Sequence, residues 1–413
     1  MPDDKSRYWS PSRSYEFELK IGSKDLTPDL MGVTILTSVD LPYQTFILEL
    51  FVDPTDFILD EIYGQTPLKL TSRLFATSAS IPLEQIDFEL MYLASDLPVG
   101  FSQKKNQAKT KDRYQVQITC VSRKAYLTMN SLVNAVYQGQ QISNIIQDLS
   151  RKVGAKLEMD NQGANLTKID QVLIPPSSLY RNLGYLNRMF GFYNGMGIMY
   201  CSHDNILKIR NLTSRIKNTS EFIIYQLPAD ADNTETIQSC NDGKRFYTMQ
   251  DIETQYEGNS AFAYFAPNMK HIVKPSDRLY HSININLETL AKDAGLISKG
   301  NKIFFDSQAL PDKKRVSIHK DHTGYELTDH FIKAKYARHM STITEVVVTL
   351  EASLKILNLM SVGSSIKLDT KSEKTLEVGG NYILRASHLY FVRSKDWGSA
   401  AELFLMRTNR SMS

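Results

Sequence analysis

The feature that most constrains this chain is a period of two in its apolar residues. Tyr15, Phe17, Leu19 and Ile21 alternate with Glu16, Glu18 and Lys20, which places the two sets on opposite faces of a strand rather than along one stripe of a helix. Val33 and Ile35, the apolar run Thr45 to Val52, then Leu68, Leu70 and Ile86 to Leu93 continue the series, with Pro42, Pro54 and Gly64 between them. It closes on Tyr114 to Val121, where Tyr114, Val116, Ile118 and Cys120 face one way and Gln115, Gln117 and Thr119 the other. Short strands at this spacing predict an antiparallel barrel or sandwich over about residues 12 to 125. The 21 Tyr and 18 Phe against 2 Trp suit pleated, half-buried surfaces, so more strand than helix is expected throughout.

Residues 101 to 113 break the pattern with five cations, Lys104, Lys105, Lys109, Lys111 and Arg113. This reads as a long exposed hairpin loop. Phe101 opens it, but no aromatic on which a base could stack lies among the cations from Lys104 to Arg113, so a solvated loop is favoured over a nucleic-acid contact.

After residue 126 the period changes. Ile142, Ile145, Ile146, Leu149 and Val153 form a helical stripe that stops at Gly154. A second helix follows Pro175-Pro176, with Ser177 or Ser178 as its cap and Leu179, Leu183, Leu186 and Phe190 as its stripe. Ile198 to Cys201 and Ile206 to Ile209, joined by Ser202 to Asn205, read as a hairpin. Residues 126 to 212 are therefore expected to form a small α+β unit. Strand character returns at Phe222 to Tyr225 and Gln250 to Tyr256. The polar stretch 258 to 326 reads as an insertion, a helix follows a Thr328 cap through Phe331, Ala334, Lys335 and Arg338, and strands at Glu345 to Leu350, Ile366 to Leu368, Tyr382 to Val392 and Glu402 to Met406 finish the chain.

Length and charge exclude several classes. At 413 residues the chain has room for about two to four domains. Lys and Arg total 48 against 45 Asp and Glu, a net charge of +3, so no global field gathers nucleic acid or an anionic membrane. Cys120, Cys201 and Cys240 are odd in number and far apart, which fits a reducing compartment. Met1-Pro2-Asp3-Asp4-Lys5 lacks the pattern of a signal peptide, and no stretch reaches the roughly 18 apolar residues of a membrane span. A chain made and at first kept in the cytoplasm is expected.

The motif search yields no assembled chemistry. His319-Lys320-Asp321-His322 with His330 is the densest group of metal-ligand types, yet Lys313, Lys314, Arg315 and Lys320 would oppose a divalent cation, so no metal is expected there. There is no nucleophile elbow, no zinc-protease helix, no phosphate loop and no dinucleotide fingerprint in the sequence. Gly195-Met196-Gly197 reads as a bend, and Asp230 with Asp232 as a solvated turn rather than a carboxylate pair in an apolar cleft. Repeated β units without a catalytic, cofactor or metal set are the profile of a structural protein.

The order of units carries a resemblance. The first β unit, the helix with Ile142, Ile145, Ile146 and Leu149, and Leu179-Tyr180-Arg181-Asn182-Leu183-Gly184-Tyr185-Leu186-Asn187-Arg188 leading into Phe190-Gly191-Phe192-Tyr193 resemble the hub proteins of contractile phage tails and related injection machines. Ala334-Lys335-Tyr336-Ala337-Arg338, Val362-Gly363-Ser364-Ser365-Ile366-Lys367-Leu368, Asn381-Tyr382-Ile383-Leu384 and Leu403-Phe404-Leu405-Met406-Arg407 are similar to the second hub barrel. The resemblance implies a mainly β, α+β overall fold: two antiparallel β-barrel domains of tail-tube type with an inserted α+β domain and a smaller peripheral insertion. The implied boundaries are 1–125 for the first tube-like barrel, 126–212 for the α+β domain, 213–257 with 328–413 for the second barrel, and 258–327 for the insertion.

It also implies a structural role with no enzymatic activity: a homotrimer whose six barrels adapt a sixfold tail tube to a threefold central spike. The partners it implies are the tail tube protein, the central spike protein, baseplate wedge proteins and the tape measure protein. It implies no specific nucleic acid, no membrane span and no cofactor, with assembly in the host cytoplasm and a final place in the tail baseplate of the virion. The sequence ends at Ser413 without a needle-like or lysozyme-like segment, so spike and cell-wall enzyme are expected on separate chains. Two other readings compete: a tail-tip enzyme that degrades the cell wall, and a single-stranded nucleic-acid binder using strand aromatics and the 104 to 113 loop.

Overall fold

The computed structural model describes residues 13–53, 66–76, 82, 84–96, 113–193, 197–217, 220–226, 244–248, 252–259, 342–350, 356, 360–370, 378–394 and 396–408. The chain is mainly β, as the alternation predicts. Its first seven strands are β1 (Arg13–Ile21), β2 (Lys24–Asp25), β3 (Leu30–Ser38), β4 (Thr45–Val52), β5 (Leu68–Ala76), β6 (Glu84–Asp96) and β7 (Tyr114–Ser122). They pair antiparallel in the order β3-β4-β7-β6-β5-β1-β2. Tyr15, Phe17, Leu19 and Ile21 are buried against Val33, Ile35, Phe46, Leu48, Val116 and Ile118, while Glu16 and Lys20 lie exposed. One face is thus the core and the other solvent.

Residues 123–217 build the mixed unit. It runs α1 (Arg123–Asn130), β8 (Leu132–Gln141), α2 (Ile142–Lys152), β9 (Lys156–Met159), β10 (Lys168–Ser178), α3 (Leu179–Met189), β11 (Gly197–Cys201), β12 (Ile206–Asn211) and α4 (Leu212–Lys217). The stripe Ile142, Ile145, Ile146 and Leu149 of α2 is fully buried, and Gly154 at φ +70° turns the chain out of the helix. In α3 the Ser178 hydroxyl accepts from the Arg181 N–H at 3.3 Å, so Ser178 is the cap. The hairpin β11–β12 turns through Asn205, at φ +64°. It gains β9 as a third, parallel strand.

The sequence reading did not anticipate the ribbon formed by β8 and β10. Pro175-Pro176 sits inside β10, where the register slips between Ile174 and Ser177. Prolines lack the N–H that a ladder needs. Asn182 of α3 supplies the missing donor: its amide nitrogen lies 3.1 Å from the Val133 and Pro175 carbonyls and 3.2 Å from that of Ser177.

The remaining strands are β13 (Phe222–Gln226), β14 (Arg245–Thr248), β15 (Glu253–Asn259), β16 (Thr342–Leu350), β17 (Ser365–Thr370), β18 (Gly380–Arg393) and β19 (Trp397–Thr408). They follow the order β14-β13-β17-β18-β19-β16-β15. Pairing is antiparallel except at β13, which lies parallel to both β14 and β17. The 14-residue β18 has a double duty: its start pairs with β17 and its later residues pair with β3, from Ala386 opposite Ser38 to Val392 opposite Gly32. The two strand-rich halves are therefore one sheet. They also share one core, because Phe391 stacks at 5.2 Å from Tyr15 and 4.9 Å from Phe17, and Trp397 at 4.7 Å from Phe17.

Candidate functional site

The region that fixes the three parts of the molecule to one another is built around two arginines. Arg385 stands on β18 at a position that faces inward, with only 5% of its side chain exposed. It reaches Glu345 of β16, itself 6% exposed, and the Asp40 carboxylate at 3.3 Å just after β3. Burial alone would lower the guanidinium pKa, but Glu345 and Asp40 outweigh it and hold the cation above its ordinary range. Nearby backbone bonds run the same way: Val39 N–H donates to the Arg385 carbonyl at 2.9 Å, and Thr37 shares a hydroxyl contact of 2.5 Å with Ser387.

Arg215, on α4, does for the mixed unit what Arg385 does for the two halves. Its Nε and Nη2 hold Asp160 in a two-pronged bond at 2.7 and 2.8 Å, its Nη1 reaches Glu221 at 2.8 Å, and the same nitrogen donates to the Gly363 carbonyl at 3.4 Å. Arg210 adds a contact to Asp160 at 3.2 Å, and the Asn211 N–H another at 2.9 Å. Burial would raise the Asp160 pKa, yet the Arg215 bonds, the Asn211 N–H and the two positive charges hold it below the usual carboxylate range. Apolar contacts close the joint: Val39, Ile198, Tyr200, Leu212, Val362, Ile383 and Met406 form one buried cluster drawn from all three parts. Cys201 N–H donates to the Pro42 carbonyl at 2.8 Å and ties β11 to the loop before β4.

A different kind of surface lies on the β8–β10 ribbon. Leu132 is 80% exposed, and Val136 and Leu173, also exposed, face each other across the two strands. No charged residue occurs from Ala125 to Gln147 or from Gln171 to Tyr180. Away from Lys168 and Asp170 at the start of β10, the ribbon presents these apolar side chains among uncharged amides such as Gln138 and Gln171, a mixed surface of the kind found in protein contacts.

Sequence spacing did not single out the pairing of Arg385 with Glu345 and Asp40 or of Arg215 with Asp160, because these partners lie 40, 345 and 55 residues apart in the chain. The usable signal was a charge inside an apolar run: Arg385 follows Ile383 and Leu384, and Glu345 precedes Val346 and Val347. The residues that spacing did single out fall otherwise. His319, His322, His330, Asp230, Asp232, Cys240 and all of the 101 to 113 loop except Arg113 lie outside the described residues. Among the described residues no group of three or more His, Cys, Asp and Glu could hold a metal ion, and no helix is long and apolar enough to cross a membrane. Cys120 and Cys201 are buried free thiols, each pushed up to about 12 by that burial, which keeps them protonated and poor nucleophiles.

Comparison with known proteins places this architecture. Residues 99–262 match the family model described as Bacteriophage PBS1 gene 109 protein. No curated protein matches the chain. The crystal structure of the 43 kDa tail protein of prophage MuSo2 from Shewanella oneidensis is similar with a TM-score of 0.51 at 12% identity, over 94% of this chain and 98% of that one. The tail protein from Neisseria meningitidis MC58 gives 0.47 at 10% identity over 95% and 96% of the two chains. The E. coli c3393 protein, described as a type VI secretion component similar to T4 bacteriophage tail proteins gp27 and gp5, gives 0.44 at 10% over 94% and 76%. Those last two likenesses are weaker. Over 94% of its length, then, this chain has the fold of a phage tail protein.

Proposed function

We propose that the chain is the structural hub of a contractile tail, a homotrimer that adapts the sixfold tail tube to the threefold central spike. The observation that carries the reading is the single sheet and shared core of the two strand-rich halves. Two β bodies locked side by side cannot reorient independently, so three copies set six of them in a ring of fixed spacing. On this reading residues 1–125 are the first tube-like barrel, 126–212 the α+β domain, 213–257 with 328–413 the second barrel, and 258–327 a peripheral insertion. The ring works by shape and interface area, without catalysis. Its neighbours are the tail tube, the central spike, baseplate wedge proteins and the tape measure protein, and its place is the tail baseplate of the virion.

Light scattering on the purified chain, alone and with its spike partner, tests this. The expected mass of the hub is three times 47.0 kDa, about 141 kDa. A monomer that persists with the spike bound, or release of fragments from purified cell walls by the protein alone, overturns the reading.

A further inference from the structure

Of the nine large apolar side chains exposed among the described residues, six belong to the mixed unit: Leu127, Leu132, Val136, Leu166, Leu173 and Tyr180. They follow the β8–β10 ribbon from end to end. At one end the Leu179 N–H donates to the Ser131 carbonyl at 2.9 Å and the Ser131 hydroxyl to the Leu127 carbonyl at 2.7 Å, which brings Leu127, Leu132 and Tyr180 together. Val136 and Leu173 stand opposite each other in the middle, and at the far end the Gln141 amide donates to the Leu166 carbonyl at 3.0 Å. Leu132 and Val136 are four residues apart on one strand and so share a face, with Asn134 and Gln138 exposed between and beyond them. The other face is already covered, because Val133, Val172 and Ile174 pack in one core with the stripes of α2 and α3. Apolar residues exposed singly need no explanation, but a file of them marks a contact.

Edges, size and charge select the occupant. Gly139, at φ +61°, breaks the extended run of β8, and Pro175-Pro176 removes two donors from β10, so neither edge is a good template for an added strand. From Leu132 to Gln141 the ribbon runs about 30 Å, and two strands with their side chains are ~10 Å wide. The resulting ~300 Å² is well short of the ~800 Å² per partner that a stable pair of folded proteins needs, so this face alone does not hold a second copy. An α-helix is ~10–12 Å across, and about 20 residues of it span 30 Å. No charged residue occurs from Ala125 to Gln147 or from Gln171 to Tyr180, so the matching surface is uncharged as well. We propose that the outer face of the ribbon docks a single amphipathic helix of a partner protein, with aliphatic side chains flanked by uncharged residues on its contacting side. The helix lies opposite α2 and α3 and completes a helix–sheet–helix layering.

Fluorescence anisotropy of the full chain with a labelled probe peptide of about 20 residues tests the inference. The probe carries Leu at helical spacing, Gln beside the Leu stripe, and Lys and Glu on the far side; a second peptide has the same composition with the Leu positions scrambled. The expected result is saturable binding of the patterned peptide, at least tenfold tighter than the scrambled one and changed less than twofold by a rise in salt. Val136→Gln with Leu173→Gln should weaken it at least tenfold, while Leu93→Gln, at an exposed position on β6, should not change it. Leu132→Gln serves as the second variant if the pair does not fold, with an expected loss of a few fold. Equal binding of the two peptides, or binding that the ribbon variants leave unaltered, overturns the proposal. So does co-sedimentation of the chain with neutral phosphatidylcholine vesicles that those variants abolish, which would assign the face to lipid. A fall in the native oligomer mass in the Val136→Gln, Leu173→Gln variant would assign it to a second copy and overturn the proposal equally. The mass of the unaltered chain decides the hub reading separately, so either can fail without the other.

Discussion

Replacing Arg385 by methionine removes the cation but keeps most of the aliphatic length, and the structure sets the size of the effect. Glu345 is left 6% exposed with its principal counterion gone. A buried charge stranded in this way costs about 3–5 kcal/mol. Asp40, 24% exposed, can turn to water and adds no more than ~1 kcal/mol. The companion variant Arg385→Met with Glu345→Leu removes both buried charges. It should lie within about 1.5 kcal/mol of the native chain, since apolar replacement of a buried pair is often neutral. The double variant is therefore expected to be more stable than Arg385→Met alone by roughly 1.5–5 kcal/mol. Urea unfolding followed by Trp fluorescence reads it, because Trp397 packs on Phe17 across the two halves. A single variant within 1 kcal/mol of native, or a double variant no more stable than Arg385→Met, would refute the account of this pair as a buried lock.

Two further outcomes are expected. Gly363 adopts φ +84°, and a Cβ there would lie 3.1 Å from Ile198 Cδ1 and 3.3 Å from Arg210; Gly363→Ala should cost on the order of 1–3 kcal/mol in a thermal melt, and an unchanged midpoint would show that the joint yields. His203 is held below its ordinary pKa of 6.5 by burial, which Asp204 only partly offsets. The unfolded chain then binds more protons between pH 6.5 and the lower folded pKa, so this contribution is present above that window and lost as the pH falls through it. The loss is at most about 1.4 kcal/mol per pH unit, and His203→Gln should flatten the pH dependence of the urea midpoint by that amount. Parallel curves for the two proteins would sink the idea.

The local elements were legible to different degrees, for physical reasons. Thr45–Val52 was readable to the residue as an apolar run between Pro42 and Pro54, with Phe46, Leu48, Leu50 and Val52 turned inward. The α2 stripe and the Ser178 cap were equally plain. The β8–β10 ribbon was not: Val136 and Leu173 put apolar side chains on the outer face and blur the alternation, and Pro175-Pro176 argues against a strand. The parallel setting of β13 left no trace in its own five residues. The joint was the least visible part, since Asp40 with Arg385 and Asp160 with Arg215 are partners only after the chain has folded back on itself.

The pairing of β3 with β18 also bears on how the molecule is made. Thr37 and Ser387 are hydrogen-bonded yet lie 350 residues apart. At the ~5–20 residues per second of translation, the ribosome needs on the order of 20–70 s to deliver the partner strand. Throughout that interval the edge of β3 presents unpaired N–H and C=O groups, the kind of template that invites intermolecular pairing, and the Phe17 ring waits for Phe391 and Trp397. The nascent protein is most prone to aggregate during its own synthesis, and that hazard ends only when the last two strands leave the exit tunnel.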